Sequence, residues 1–598
     1  MRLLILFCAL SLSAFGQTVV KKVDSKWIME VDGMPFDIKG VTFGYHDDVA
    51  NYDTYFKDLK SIGVNTIRTW GTDENTPALL DAAERYNIKV MLGIWLRHGR
   101  PGMEDDDSFD YLTDNEGMEA MYNAAMETVN TYKNHPAVLT WGVANEVYLN
   151  MATDEEKLVY SKFLECVCSN IKQLDANHPI TSVEAWTFGL DWWEQYVPSL
   201  DIYGLNSYGP GAGVLQDELD KRQIDKPYIV TEFGVTGEWD APADKNGVKI
   251  EPSDKEKYDA IVKGYSNWIK TKPSCLGVYV FHYSSGTDFG GVWLMTHFND
   301  LYRPQYWAIR EAFTGKTPDN SVPVIEAFSL PNETYNSTTW IPVELQVTDA
   351  ENEALAVSFY YNQREGSRRR RNQMLPLNFR SNLEQGFEIQ LPRENGAIKV
   401  YAFAKDTYGN LGIASTSIKV KDNIAAKREF KVPKAKLPFY VYKDNEHVPY
   451  FPSAYMGNYR AMEVDLNHTA QVHSGKTAIA ISYNVGYDWY GFAMVDPAND
   501  WGDILGGYDI SGAKTFSFWA KSDSSNVMAT IGFGLIENDK TYYDTAKKSI
   551  EIKLTKEWKK YTIKTKRLDL SCIRSGLVIF SSGTGLPHKI YIDDVVFE

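Results

Sequence analysis

Cysteine is scarce, with five residues in 598, at positions 8, 166, 168, 275 and 572. Cys166 and Cys168 stand two apart in a helical pattern and so point to different faces. The sequence predicts no disulfide framework, and four small buried cysteines once Cys8 is removed. Positive charge is also short: 62 Lys and Arg face 79 Asp and Glu, for a formal net charge of −17. That balance sets aside nucleic acid as a partner, because phosphate binding needs a basic surplus. After the N-terminus no apolar run approaches the roughly 18 residues of a membrane-spanning helix. His-x-x-x-His pairs, clustered cysteines and calcium-loop spacings are missing, so neither a metal nor a cofactor is expected. No Gly-rich phosphate loop follows the first strand pattern, which argues against a doubly wound nucleotide-binding sheet.

What is present is ordinary for a globular protein, 44% hydrophobic and 24% charged. Aromatic residues reach 13%, with 16 Trp, 37 Tyr and 27 Phe, and flat rings suit sugar faces as well as large cores. The start, Met1-Arg2 and an apolar run from Leu3 to Leu12 before Ser13–Gln17, has the form of a secretory signal peptide over residues 1–16. A secreted, periplasmic or cell-surface location is expected, and a monomer.

From residue 17 to 316, short β-branched runs alternate with amphipathic stretches. Strands are expected at 36–42, 65–70, 89–95, 138–144, 180–185, 201–206, 228–231 and 277–281, and helices at 52–62, 77–86, 116–133, 155–175 and 254–271. Eight such alternations predict a (β/α)8 barrel. Residues 322–422 carry alternating runs at sandwich-like intervals and read as an Ig-like β-sandwich, with Arg368–Arg371 in a solvated loop. Residues 432–598 read as a second all-β unit, a jelly-roll sandwich in which Trp519 alternates into the core.

Catalytic groups of such barrels project from the C-terminal ends of strands. The fourth strand ends Trp141-Gly142-Val143-Ala144-Asn145-Glu146 and the seventh Thr231-Glu232-Phe233-Gly234, so Glu146 and Glu232 should face each other across the mouth. Two carboxyls across a cleft are what glycosidic cleavage needs, one to protonate the leaving oxygen and one to attack the anomeric carbon or activate water.

These segments resemble the clan of retaining glycoside hydrolases that includes families 2 and 5. The resemblance implies Glu146 as acid/base, Glu232 as nucleophile at about 5 Å, Asn145 on the sugar 2-hydroxyl and Arg68 hydrogen-bonded to the nucleophile. Tyr208, ending strand six, resembles the clan's tyrosine beside the nucleophile; Asn206 stands where family 5 has His, which leans towards the family 2-like branch. Strand eight reads Val280-Phe281-His282-Tyr283 where the clan ends in Trp. Phe281 or Trp293 is expected to supply the sugar platform, with His282 among the substrate-binding residues. Trp70, His98, Arg100 and Trp186 lie on the predicted mouth side and are further cleft candidates, while Trp192 and Trp193 read as packing. The last sandwich resembles carbohydrate-binding jelly rolls, with Trp489, Tyr490 and Trp501 as candidate sugar platforms or, alternatively, a purely structural role.

The expected activity is a secreted retaining β-glycoside hydrolase acting on a polysaccharide or oligosaccharide. The stretch Gly63–Trp70 with Ala82–Ile88 is similar to β-1,3-glucan-active members, so a β-glucan is favoured. β-Mannan, a β-galactoside and transglycosylation are the alternatives, and a non-catalytic glycan-binding barrel is the rival from another class.

Overall fold

The computed structural model describes residues 16–98, 109–151, 153–285, 292–363, 373–382, 386–422, 430–445, 448–484, 486–538 and 540–598. Residues 1–15 of the expected signal peptide, Arg100 and the run Arg368–Arg371 lie outside these. A first compact unit extends to Lys421, and a second runs from Asp422 to Glu598.

The first unit opens with three short antiparallel strands, β1 (Thr18–Val23), β2 (Lys26–Val31) and β3 (Met34–Pro35). Eight strands then close into a parallel barrel: β4 (Ile38–Phe43), β5 (Thr66–Arg68), β6 (Lys89–Ile94), β7 (Val138–Asn145), β8 (Ile180–Ala185), β9 (Ile202–Asn206), β10 (Tyr228–Phe233) and β11 (Cys275–Tyr283). Around them lie α1 (Tyr52–Ser61), α2 (Thr76–Arg85), α3 (Asn115–Tyr132), α4 (Asp154–Leu174), α5 (Leu190–Tyr196), α6 (Leu215–Lys221), α7 (Asp254–Gly264) and α8 (Pro304–Thr314). The strands are apolar runs because the barrel interior covers one face and the helices the other. Side chains of Asp114, Thr153 and Ser253 accept from the first-turn amides of α3, α4 and α7, which fixes where those helices start.

The expected eight strands are all present, with ends displaced by a few residues. The β1–β3 sheet was not expected. Its Met29 and Val31 pack with Ile38, Leu139, Ile202 and Ile229, from the first residues of barrel strands. It therefore plugs the N-terminal end and leaves the opposite rim for the cleft. Inside the barrel Tyr279 fills the space beside Gly40, where a Cβ would approach its ring to 2.3 Å.

The next sandwich, Val324 to Lys421, pairs a four-stranded with a five-stranded sheet around Ile341, Phe359, Ile389, Ile398 and Val400. It belongs to the same compact unit as the barrel. Trp307 Nε1 donates to Asn410 Oδ1 at 2.8 Å, and Ile413 N–H donates to Asp254 Oδ2 at 2.7 Å. A buried charge cluster also joins them: Lys257 and Lys399 lie 2.6 and 2.7 Å from the two oxygens of Glu251.

The second unit is a sandwich of a six-stranded and a five-stranded antiparallel sheet, its core built on Phe492, Phe516, Phe518, Ile531 and Phe597. Trp519 is not in that core. Phe516, Phe518 and Ala520 take the inner face of strand Thr515–Ser522, and Trp519 stacks on His473 with centroids 3.8 Å apart. Of the four described cysteines, Cys168, Cys275 and Cys572 are buried, but Cys166 is exposed against the expectation, because it lies on the outer face of α4 while Cys168 turns inward. Among the described residues no helix is long and apolar enough to cross a membrane.

Candidate active site

Each parallel strand delivers its last residues to the same rim. Arg68 ends β5, Asn145 ends β7 with Glu146 next, Asn206 ends β9, and Glu232 is the penultimate residue of β10. Arg68 is buried; its Nη1 donates to Glu232 Oε1 at 2.8 Å and to the Thr231 carbonyl at 3.1 Å, and its Nη2 donates to Asn145 Oδ1 at 2.6 Å. Asn206 Nδ2 donates to Asn145 Oδ1 at 3.2 Å and to Glu146 Oε1 at 2.7 Å. Thr231 Oγ1 donates to Asn206 Oδ1 at 2.7 Å, fixing that amide's orientation. One unbroken hydrogen-bonded chain thus runs Glu232–Arg68–Asn145–Asn206–Glu146. Because Asn145 Oδ1 takes two donors, its Nδ2 is the atom left to donate elsewhere.

The two carboxyls sit in different surroundings. Glu232 is buried, and Tyr208 Oη donates to its Oε2 at 2.8 Å while Trp70 Nε1 makes a longer contact of 3.4 Å to Oε1. Burial and then the charge of Glu232 hold the Tyr208 hydroxyl protonated far above its usual range; the charge of Glu146 adds to this. Glu146 is only half-buried, and the Asn206 amide donates to it. The guanidinium beside Glu232 favours its ionised form, the state a nucleophile needs.

The expected cleft residues fall into two groups. Trp70 is half-buried at the rim and meets Phe281 and His282 edge-on at 6.2 and 5.5 Å. It can lie there because Gly93 on β6 has no side chain: a Cβ would stand 2.2 Å from the Trp70 backbone. Trp186 is half-buried after β8. Phe281 stacks on His282, whose imidazole is pushed down to about 3 by burial and by the charge of Arg68, so it is neutral at ordinary pH. Trp293 is not a platform: it is fully buried, donates to the Thr236 carbonyl at 2.9 Å and packs under Lys399, 4.5 Å from its ring. His98 is likewise buried, stacked on Trp95 at 5.0 Å.

Sequence reasoning missed three participants. Asn206 was noted only as a departure, yet it holds Glu146. Thr231 precedes the nucleophile candidate and aims Asn206. Trp239, 46% exposed on the loop after β10, stands edge-on to Tyr208 at 5.0 Å and offers the aromatic wall that Trp293 does not. A metal site was not expected; among the described residues one exposed group, Asp81, Glu84 and His135, has ligand-like spacing, away from this network.

In the second unit Trp489 is 54% exposed and lines an open depression of about 380 Å³ with Asn526, Thr530, Glu551 and Phe580. Trp501 is also exposed, apart from that depression. Tyr490 is not a platform. The next residue along a strand faces the other way, so Tyr490 is buried, stacked on Tyr483 and bonded to His588 Nε2 at 2.7 Å.

Residues 37–272 match the model of the glycosyl hydrolases family 2, TIM barrel domain. The chain is 29% identical over 240 residues to a β-glucuronidase of Chlorocebus aethiops, covering 37% of this chain and 34% of that enzyme. It is 23% identical over 337 residues to a probable mannan endo-1,4-β-mannosidase A-2 of Aspergillus terreus, covering 43% of this chain and 82% of that protein. The chain thus spans about a third of the length of the β-glucuronidase it matches. Among solved structures, a β-glucuronidase of Bacteroides uniformis aligns at a TM-score of 0.38 and 13% identity, over 97% of this chain and 67% of that one.

Proposed function

We propose that this protein is a retaining β-glycoside hydrolase working by double displacement. The carrying observation is the hydrogen-bonded chain from Glu232 through Arg68, Asn145 and Asn206 to Glu146. Glu232 attacks the anomeric carbon as Glu146 gives its proton to the departing oxygen. The glycosyl-enzyme ester is then broken by water: Glu146 takes the water proton, the water oxygen bonds to the anomeric carbon, and Glu232 leaves as carboxylate. Asn145 Nδ2 is the donor suited to the sugar 2-hydroxyl.

We propose a neutral β-linked glycan as substrate, with β-1,3-glucan first. Arg68, the cation of this network, is already committed to Glu232 and Asn145, and the net charge of −17 disfavours polyanions. The relatives' names supply the alternatives, a β-glucuronide or a mannan; β-galactosides and transfer to sugar in place of water complete them. The purified protein should release products of retained configuration from laminarin, followed by proton NMR, and Glu232→Gln should abolish turnover. Full activity in Glu232→Gln, or inverted products, would overturn the mechanism. Turnover on nitrophenyl glucuronide or mannan alone would reassign the substrate, and binding without products would favour a glycan-binding barrel.

Two further readings belong here. The first 16 residues support export, and a secreted protein starting near Gln17 on N-terminal sequencing would agree where an intact Met1 would not. The exposed Trp489 with its ring of polar neighbours suits weak stacking on the same glycan.

A further inference from the structure

A third carboxyl lies behind this network. Glu184, in β8, is 1% exposed, and its oxygens accept backbone N–H groups from two segments, Tyr148 at 2.7 Å on Oε2 and Ala185 at 2.8 Å on Oε1. The Leu149 N–H adds a further bond. Tyr148 and Leu149 open the short turn Tyr148–Asn150 that follows Glu146, and the Glu146 N–H itself donates to the Val183 carbonyl at 3.0 Å. The end of β8 therefore grips the chain at Glu146 and just after it. That grip falls on strained backbone: Ala144 and Glu146 have φ of 64° and 52°, a region that side-chain-bearing residues keep only when neighbours hold them there.

We propose that Glu184 is a positioning residue for Glu146, anchoring the strained turn that aims this carboxyl into the cleft. The proposal rests on the glycosidase reading above. Burial and then the charge of Glu146 push Glu184 up to about 8, against its backbone donors. The titratable groups facing it are Glu146 after β7, Tyr148 in the turn and Tyr160 on α4. Burial first, and then nearby groups, hold both tyrosines above their usual range, so they stay neutral at working pH.

The test is Glu184→Gln in the full chain, assayed on the best glycoside substrate. A neutral amide keeps the shape and one acceptor oxygen, but replaces the other with a donor and removes the ability to ionise. The expected result is a kcat lower by about tenfold or more with KM changed less than about threefold. With no carboxyl left to ionise near pH 8 beside Glu146, the variant should lose the change in kcat/KM that wild type shows there. Hydrogen exchange, read by mass spectrometry without turnover, should speed up in the peptide holding residues 147–150 and not in the other barrel strands. Wild-type kcat, profile and exchange in Glu184→Gln would overturn the proposal. If that variant does not fold, Glu184→Asp decides: the carboxyl is kept but drawn back one methylene, so kcat should fall with the change near pH 8 in place, and wild-type kcat would refute the role. Full turnover in Glu146→Gln would instead remove the glycosidase reading while leaving the exchange result standing.

Discussion

Arg68→Met perturbs the centre of the network. The Arg68 and Glu232 side chains are 2% and 9% exposed and 2.8 Å apart. At an effective dielectric of about 20, opposite charges at that distance attract by about 6 kcal/mol, and desolvation takes back much of this. Removing the guanidinium leaves Glu232 with Tyr208 and the long Trp70 contact, and an uncompensated buried carboxylate costs about 3–5 kcal/mol. Removing its charge as well, in Arg68→Met/Glu232→Gln, should return part of that loss, for a coupling of about 2–4 kcal/mol. The assay is chemical unfolding of wild type, both single variants and the double variant at pH 7, followed by tryptophan fluorescence. Because the chain forms two compact units, the two transitions are fitted separately, and only that of the barrel-containing unit should move. In parallel kcat/KM of Arg68→Met should fall at least about 100-fold. A single variant within about 1 kcal/mol of wild type, together with a coupling below about 0.5 kcal/mol, would show that the ion pair does not organise the site.

Asn206→Ala removes a donor to Glu146; a hydrogen bond to a charged group is worth about 1.5–3 kcal/mol, so kcat should fall about 10- to 100-fold with KM nearly unchanged. Burial raises Glu251, but the ammoniums of Lys257 and Lys399 override it and hold its carboxylate down at about 2, against an ordinary 4.5. Its contribution to stability is therefore full above pH 4.5 and lost as pH falls towards 2, so Glu251→Gln should flatten the acid limb of the stability profile in calorimetry between those values. Trp489→Ala should weaken retention on an insoluble form of the preferred glycan by about tenfold without changing kcat on a small soluble substrate; unchanged retention would assign that face a structural role.

The barrel was legible because each of its strands is covered on both faces and so reads as an apolar run, and because the fold sends the C-terminal ends of those runs to one rim. That is why Glu146, Glu232, Arg68 and Tyr208 could be brought together from positions as far apart as 68 and 232. The β1–β3 sheet was not legible, since it covers one end only and mixes Lys21, Lys22 and Glu30 with Met29 and Val31. Facing errors have a common origin. Trp489 and Tyr490 differ by one position in a strand whose register no local signal fixes, so either ring could have been the exposed one; the strand settles it by burying Tyr490 against His588. Trp293 failed differently: it sits on a loop, where no periodicity applies, and is drawn under by Lys399, more than 100 residues later in the next sandwich. The same cause hides Asn206. An amide at a strand end is silent by itself, and acquires meaning only when Thr231 on the adjacent strand takes its oxygen and turns its two N–H groups towards Asn145 and Glu146. Residue types at strand ends thus announce which chemistry is available, whereas the orientation of neutral donors decides which carboxyl is free to carry the proton, and that orientation is a property of pairs of strands.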